Sequence, residues 1–418
     1  MGQARNHPAD PSLVEGDVEL FPSHLTVVLD GVVRRFHHVW LRDNSWAPED
    51  RVAQSSERQL FTADIPEALG PVSVRFDPDL GLDILWNDGR GCTYAPAWLR
   101  RHDYSDEPAR RASRFTPTPW HATAPDPPRL GHAEVAGTVA GQLAYLDAVR
   151  ELGAVIVTDV PCVDGEVERF AEIFGPVREL AFERVHNVRL DPDGYNVAHT
   201  SGELKPHTDF PSYAWPPSIQ LVHFRANRTT GGESTLVDGW AAIAELRRTH
   251  PGHFAVLTRI PVPYQLFSDH EDTAAEAPVI ELDASGEVRL CRFSNQLAQP
   301  LRAPFDEVEA FYAAYRTLGR IIDSGRYRST FRAADGDLLT VHAHRVLHGR
   351  LAYDPDSGAR HLQNVYMEFD DLVARRRVLR GEHKPIPAQP LGGAPVTWSQ
   401  RVTATASHRG LNGCETPQ

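Results

Sequence analysis

From Leu20 to about Tyr104 the apolar positions recur in short alternating runs. In HLTVVLDGVVRRFHHVWL two such runs flank Asp30-Gly31, a dipeptide suited to the positive φ angles of a two-residue turn, which predicts a hairpin. PVSVRFDPDLGLDILWNDG predicts a second one. Together they outline a small β domain over residues 18–104, after a polar leader of about 17 residues. Periodicity then fades: residues 105–130 hold six prolines and read as a linker. Beyond it, VAGQLAYLDAVRELG has helical spacing and leads into the buried-strand run AVIVTDV, and DGEVERFAEIFG predicts another helix. Strand-like segments follow, broken by a helix over 306–324 in which Val308, Phe311, Tyr312, Tyr315, Leu318 and Ile322 recur at three- and four-residue steps. The main domain spans 131–385. A tail over 386–418, rich in Pro, Gly, Ser and Thr, reads as a surface extension.

Composition narrows the class. The 418 residues are 41% hydrophobic and 24% charged, a globular balance, and acids outnumber bases 56 to 43. An acidic surface argues against nucleic acid or an anionic membrane as partner. Cys92, Cys162, Cys291 and Cys414 lie far apart with no CxxC pair, which points to a reducing cytoplasm rather than a disulfide framework. Neither a secretory h-region nor a run of 18 apolar residues is present.

The chemistry concentrates in two segments. In GELKPHTDFPSYAWPPSIQLVHF, His207 and Asp209 are two apart, so an extended chain projects both from one face. Such a pair supplies two ligands to a metal, and two imidazoles with one carboxylate on one face of Fe(II) leave positions open for a bidentate cosubstrate and oxygen. The spacing alone is weak, because HxD is common. The second segment, DGDLLTVHAHRVLHGRLAYDPDSGARHLQNVYMEFDD, offers His348 as the third ligand. Arg360 follows twelve residues later and can pair bidentately with the carboxylate of a dicarboxylic acid. Period-2 alternation sets Arg360, Leu362, Asn364 and Tyr366 on one side of the final strand.

In order, WLRDN (40–44), the HTD segment, TTGGEST, RVLHGR and RHLQNVYMEFD resemble the γ-butyrobetaine hydroxylase branch of the taurine-dioxygenase-like Fe(II)- and 2-oxoglutarate-dependent oxygenases, over about residues 20–380. The resemblance implies a mainly β fold with flanking helices, a double-stranded β-helix (jelly roll) beside a small N-terminal β domain. It implies Fe(II) on His207, Asp209 and His348, with 2-oxoglutarate on Arg360 and Ser234 nearby. The reaction implied is hydroxylation of an aliphatic C–H in a small, carboxylate-bearing amino acid, betaine or related metabolite, with O2 as the second cosubstrate. Desaturation or cyclisation on the same site is an alternative, as is a catalytically silent binding protein on this scaffold. Homodimerisation is also implied.

Two departures stand out. Where that branch binds zinc through three cysteines and a histidine, this chain has Ser45, Ala47, Asp50 and Arg90, so no zinc is expected. The four aromatic positions that cage a trimethylammonium group in the branch fall on Tyr366, Phe182, His186 and His199. Two imidazoles there suit a polar or anionic group better. Asn196 and Asn295 match the amides that contact a substrate carboxylate in the branch. His342 and His344 read as structural or pocket-lining, Trp215-Pro216-Pro217 as a rigid loop, and Arg375–Arg377 as a solvated helix face.

Overall fold

A turn with Asp30 at φ 56° and Gly31 at φ 74° joins strands His24–Leu29 and Val32–His37, as the Asp-Gly pair predicts. Strand Val18–Leu20 completes this sheet. The apolar run does not continue as strand: His38–Asp43 is a helix that buries His38, Leu41 and Arg42 on one face. The second predicted hairpin, Pro71–Asp77 with Gly81–Trp86, lies in a four-stranded sheet with Val14–Glu15 and Gly91–Tyr94. The two sheets and helix share a core of Leu25, Val27, Phe36, Leu41, Ile84, Trp86 and Trp98, with Trp40 and Trp46 packed against it.

This is a computed structural model, and it describes residues 14–112, 115–120, 126–180, 183–189, 199–268 and 271–382. The region above belongs to one compact unit, which reaches Phe115; a second begins at Thr116. No helix among the described residues is long and apolar enough to cross a membrane.

In the second unit, alternation along the strands sets the layers. A six-stranded sheet runs in the order His186–Arg189, Arg360–Met367, Ile219–Asn227, Leu338–His342, Ala154–Thr158, Arg129–Gly131. A four-stranded sheet runs Leu204–His207, Val346–Arg350, Ser234–Asp238, Arg328–Phe331. Ile156, Val222, Phe224 and Leu362 from the first sheet meet Leu236, Phe331 and Val346 from the second in one apolar layer, so the sheets face each other. The alternate residues of the larger sheet, Val155, Val157, Leu221, Val365 and Met367, pack outward on helices Val139–Leu152 and Glu166–Glu172. Val237 and Leu347 of the smaller sheet do the same against helices Gly239–Thr249, Pro251–Arg259 and Phe305–Asp323. The result is a double-stranded β-helix with flanking helices.

Two sequence expectations change in detail. Helix Phe305–Asp323 buries Phe311, Ala314, Leu318 and Ile322 but leaves Tyr312 exposed, because the apolar stripe is narrower than the spacing implied. Arg375 and Arg376 are not a solvated face. Arg375 donates to Gln142 and Arg376 to Asp147, tying helix Phe369–Leu379 to helix Val139–Leu152, and Arg377 alone of the three is exposed.

Candidate metal and cosubstrate site

His207 ends strand Leu204–His207 and lies directly across from His348 on strand Val346–Arg350. His348 has the same parity as the inward Val346, so both imidazoles open into the space between the sheets. Their ring centroids are 4.4 Å apart. Asp209 lies just past the strand end, with Oδ1 3.2 Å from His207 Nε2 and Oδ2 3.6 Å from His348 Nε2. One ligand atom from each of the three falls within 4.8 Å of the others, and this is the group of that kind found among the described residues.

The protonation chemistry fits a metal. His207 Nδ1 donates to the Lys205 carbonyl at 2.9 Å, which leaves its Nε2 lone pair facing Asp209 and His348. Burial pushes the His348 imidazolium down to about 4, so the ring is a neutral ligand at physiological pH. Asp209 is held well below the usual carboxylate range: burial works against its charge, but His348, His207 and the Tyr366 hydroxyl outweigh it. Its Oδ2 accepts from Tyr366 Oη and from Gln220 Nε2, both at 2.8 Å. Gln220 faces Tyr366 across the sheet and is itself buried. Two imidazoles and one ionised carboxylate, its outer oxygen already bonded, make a donor set suited to Fe(II).

Arg360 begins strand Arg360–Met367, directly across from Asn227. It is largely enclosed, its Nε has no acceptor, and no carboxylate pairs with it among the described residues. Burial and the neighbouring Arg350 depress its guanidinium to about 10. Arg360 and Arg350 both stack on the Tyr353 ring, 5.2 and 4.6 Å from its centroid. A buried cation without an anion is costly, and it marks a place for one from solution. Ser234 is buried across from Arg350 in the same sheet.

Of the residues singled out for substrate, His186 pairs across from Asn364, its ring is 6.1 Å from that of His199, and the Asp209 charge reaches it. Asn364 and Tyr366 alternate on one strand face, so His186, His199, Asn364 and Tyr366 gather beside the three ligands. Tyr366 packs edge-on against Phe210, with Leu266, Leu180, Tyr213 and Leu297 around them. Asn295 is exposed and accepts from Tyr315, with no contact to the three ligands. Phe182 and Asn196 lie outside the described residues. His344 donates from Nε2 to the Pro216 carbonyl, and His342 packs on Phe369 and Trp240; both stand apart from the ligands. Gln220, Arg350 and Arg292 escaped the sequence reading. Gln220 alone left a trace, as a polar residue inside the apolar strand run Ile219–Phe224; Arg350 ends its strand and Arg292 lies just past one.

At the positions where the branch carries zinc ligands, Asp50 is buried and paired with Arg42 at 2.9 Å, and Arg42 also holds Asp88 at 2.8 Å. Arg90 is exposed and pairs with Glu49 at 3.3 Å, while Ser45 and Ala47 are buried.

Residues 138–366 match the family model described as taurine catabolism dioxygenase TauD, TfdA family. The chain is similar to the γ-butyrobetaine dioxygenase of Pseudomonas sp. (strain AK-1), with 35% identity over 353 residues covering 84% of this chain and 92% of that one. It is similar also to human γ-butyrobetaine dioxygenase, at 27% over 350 residues (82% and 90% covered). The mitochondrial trimethyllysine dioxygenase of Gallus gallus is 26% identical over 385 residues (90% and 91% covered). With these matches spanning most of its length, the chain belongs to the TauD/TfdA family and is an Fe(II)- and 2-oxoglutarate-dependent dioxygenase.

Proposed function

We propose that this dioxygenase hydroxylates an aliphatic C–H bond of a small carboxylate-bearing amino acid, betaine or related metabolite. Overall, one substrate C–H, O2 and 2-oxoglutarate become C–OH, succinate and carbon dioxide. The observation that carries this reading is the convergence of His207, Asp209 and His348 within 4.8 Å, in a fold that also holds the largely enclosed Arg360, which no carboxylate pairs among the described residues. In it, the three side chains hold Fe(II), which when bound supplies the redox chemistry that activates O2 against the 2-oxo acid and the C–H bond. His207 is kept in the metal-binding tautomer by the Lys205 carbonyl, and Asp209 is kept ionised by His348, His207 and Tyr366 while Gln220 holds its outer oxygen in place. Arg360, stacked on Tyr353, takes the distal carboxylate of 2-oxoglutarate and so orients its oxo-acid end.

For the substrate, the support comes from His186, His199, Asn364 and Tyr366 lying together beside the ligands, with apolar Phe210 and Leu266 next to them. An aliphatic body fits the apolar side, and a charged or hydrogen-bonding end fits the imidazoles and amide. The similarity to γ-butyrobetaine and trimethyllysine dioxygenases supports a substrate that carries both a carboxylate and a nitrogen centre. His186 and His199, whose rings carry hydrogen-bonding nitrogens, favour a nitrogen that still carries hydrogen over a trimethylated one.

The test is anaerobic titration of apo-protein with Fe(II) and 2-oxoglutarate. A weak visible band near ~500 nm is expected from the chelated cosubstrate. Succinate release is then screened with carboxylates, betaines and their non-methylated amines. Folded protein that shows neither band nor iron binding would remove the oxygenase role. Stimulation by γ-butyrobetaine alone would remove the preference for an N–H-bearing substrate.

A further inference from the structure

The stretch that follows Asp209 has no strand partner: residues 210–218 form an irregular loop before strand Ile219–Asn227. Prolines at 211, 216 and 217 remove three of its amide donors. Side chains hold its carbonyls instead. Arg292 donates from one terminal nitrogen to the Pro211 and Tyr213 carbonyls, at 2.9 and 2.8 Å, and from the other to Ala214, at 2.7 Å. Its Nε binds Glu281 at 2.6 Å. Arg178 takes the Trp215 carbonyl and His344 that of Pro216.

Arg292 is the centre of this arrangement. It is 1% exposed, and four of its five N–H groups have acceptors. Glu281, its carboxylate partner, also binds Arg289, whose guanidinium covers the Trp215 ring from outside. The residues on either side of Arg292 hold the metal segment directly. The Phe293 carbonyl accepts from Thr208 N, and the Cys291 carbonyl from Thr208 Oγ1. Phe210 sits at φ 50°, a left-handed conformation that a non-glycine residue keeps only where its surroundings over-determine it. That turn lets Asp209 face His207 while Phe210 packs on Tyr366, which in turn donates to Asp209.

We propose that Arg292, anchored by Glu281, is a positioning residue for the metal site: by gripping the Pro211, Tyr213 and Ala214 carbonyls it holds Phe210 in its turned conformation and aims the Asp209 carboxylate at His207 and His348. The proposal rests on the reading of those three residues as metal ligands. A lysine at 292 keeps the charge but, as a single point donor, does not span the same four acceptors.

The experiment compares the full chain carrying Arg292→Lys with one carrying Arg42→Lys, a buried, ion-paired arginine of the N-terminal unit. Each apo-protein is titrated anaerobically with Co(II) below its melting temperature, reading the visible d–d band and the heat of binding. Arg292→Lys is expected to loosen Co(II) by roughly tenfold or more and to alter the band. Arg42→Lys is expected to lower Tm while binding Co(II) as the wild type does. Unaltered affinity and band in folded Arg292→Lys would overturn the proposal, as would equal loosening by Arg42→Lys. Should Arg292→Lys not fold, Glu281→Gln takes its place under the same criteria, because the proposal requires the anchor too. Absence of Co(II) binding by the wild-type chain overturns the metal reading itself, a distinct outcome from loss in the variant alone.

Discussion

Asp209 is the residue on which the site turns, because each of its oxygens has a separate duty. Oδ1 faces His207, while Oδ2 is engaged by Gln220 and Tyr366. A carboxylate so restrained presents one oxygen to a metal without rotating. Tyr366→Phe removes one of the two restraints and keeps the ring that packs on Phe210. Loss of such a partner commonly weakens metal binding 10- to 100-fold. With Gln220 still bonded, the lower end is expected, about 10-fold, read by Co(II) titration; an unchanged dissociation constant would leave Tyr366 a packing residue only. Arg360→Leu acts at the other end of the reaction. The 2-oxoglutarate KM should rise at least 10-fold, the worth of a charge-assisted hydrogen bond of about 1.5–3 kcal/mol, with little change in Tm, since the substitution removes a largely enclosed charge that no carboxylate pairs among the described residues. An unchanged KM would exclude it as the carboxylate anchor. The three candidate ligands and Arg360 stood out because HTD, RVLHGR and the closing strand occur together in one order, not because any single spacing is rare. Gln220 and Arg292 did not, because each acts only through partners brought from distant segments, Asp209 and Tyr366 for the first and residues 211–214 for the second.

Among the elements, the turn at Asp30-Gly31 was readable because only a few dipeptides adopt its φ angles readily. The segment that follows was not. His38, Leu41 and Arg42 at steps of three and one satisfy a short helix, yet six residues are too few for one period to exclude the other. What fixes that helix is tertiary: Arg42 reaches Asp50 and Asp88, 8 and 46 residues away. The Arg42 and Asp50 side chains are only 4% and 5% exposed, so the pair is sensitive to loss of either member. Asp50→Ala strands the cation with Asp88 alone. It is expected to destabilise the N-terminal unit by about 3 kcal/mol, at the low end for breaking a buried pair. Urea unfolding followed by tryptophan fluorescence reads this, since Trp40, Trp46, Trp86 and Trp98 belong to or pack on that core. A change below about 0.5 kcal/mol, the usual range for a surface substitution, would mean the ion pair contributes little.

For the molecule as a whole, buried histidines set a lower limit of pH that metal chemistry does not enter. Burial pushes His38 in the N-terminal unit and His223 in the second unit down to about 4, and takes His342 well below its ordinary 6.5. All three are folded as neutral rings. Above pH 6.5 neither folded nor unfolded chain protonates them, and they cost nothing. As pH falls from 6.5 toward 4 the unfolded chain takes up protons that the folded chain refuses. Stability is therefore lost on acidification, by up to about 1.4 kcal/mol per pH unit for each histidine. The low-lying carboxylates Asp103 and Asp147, held down against burial by Ser105 with Arg34 and by Arg376 with Arg380 respectively, titrate below this window and do not offset it. Scanning calorimetry of metal-free protein should show little change between pH 8 and 7 and a steep fall in Tm between 6 and 5. His223→Gln should flatten that fall, because an uncharged side chain of similar reach has no proton to refuse. A Tm that holds level from pH 7 to 5 would mean that the buried rings relax to solvent when charged.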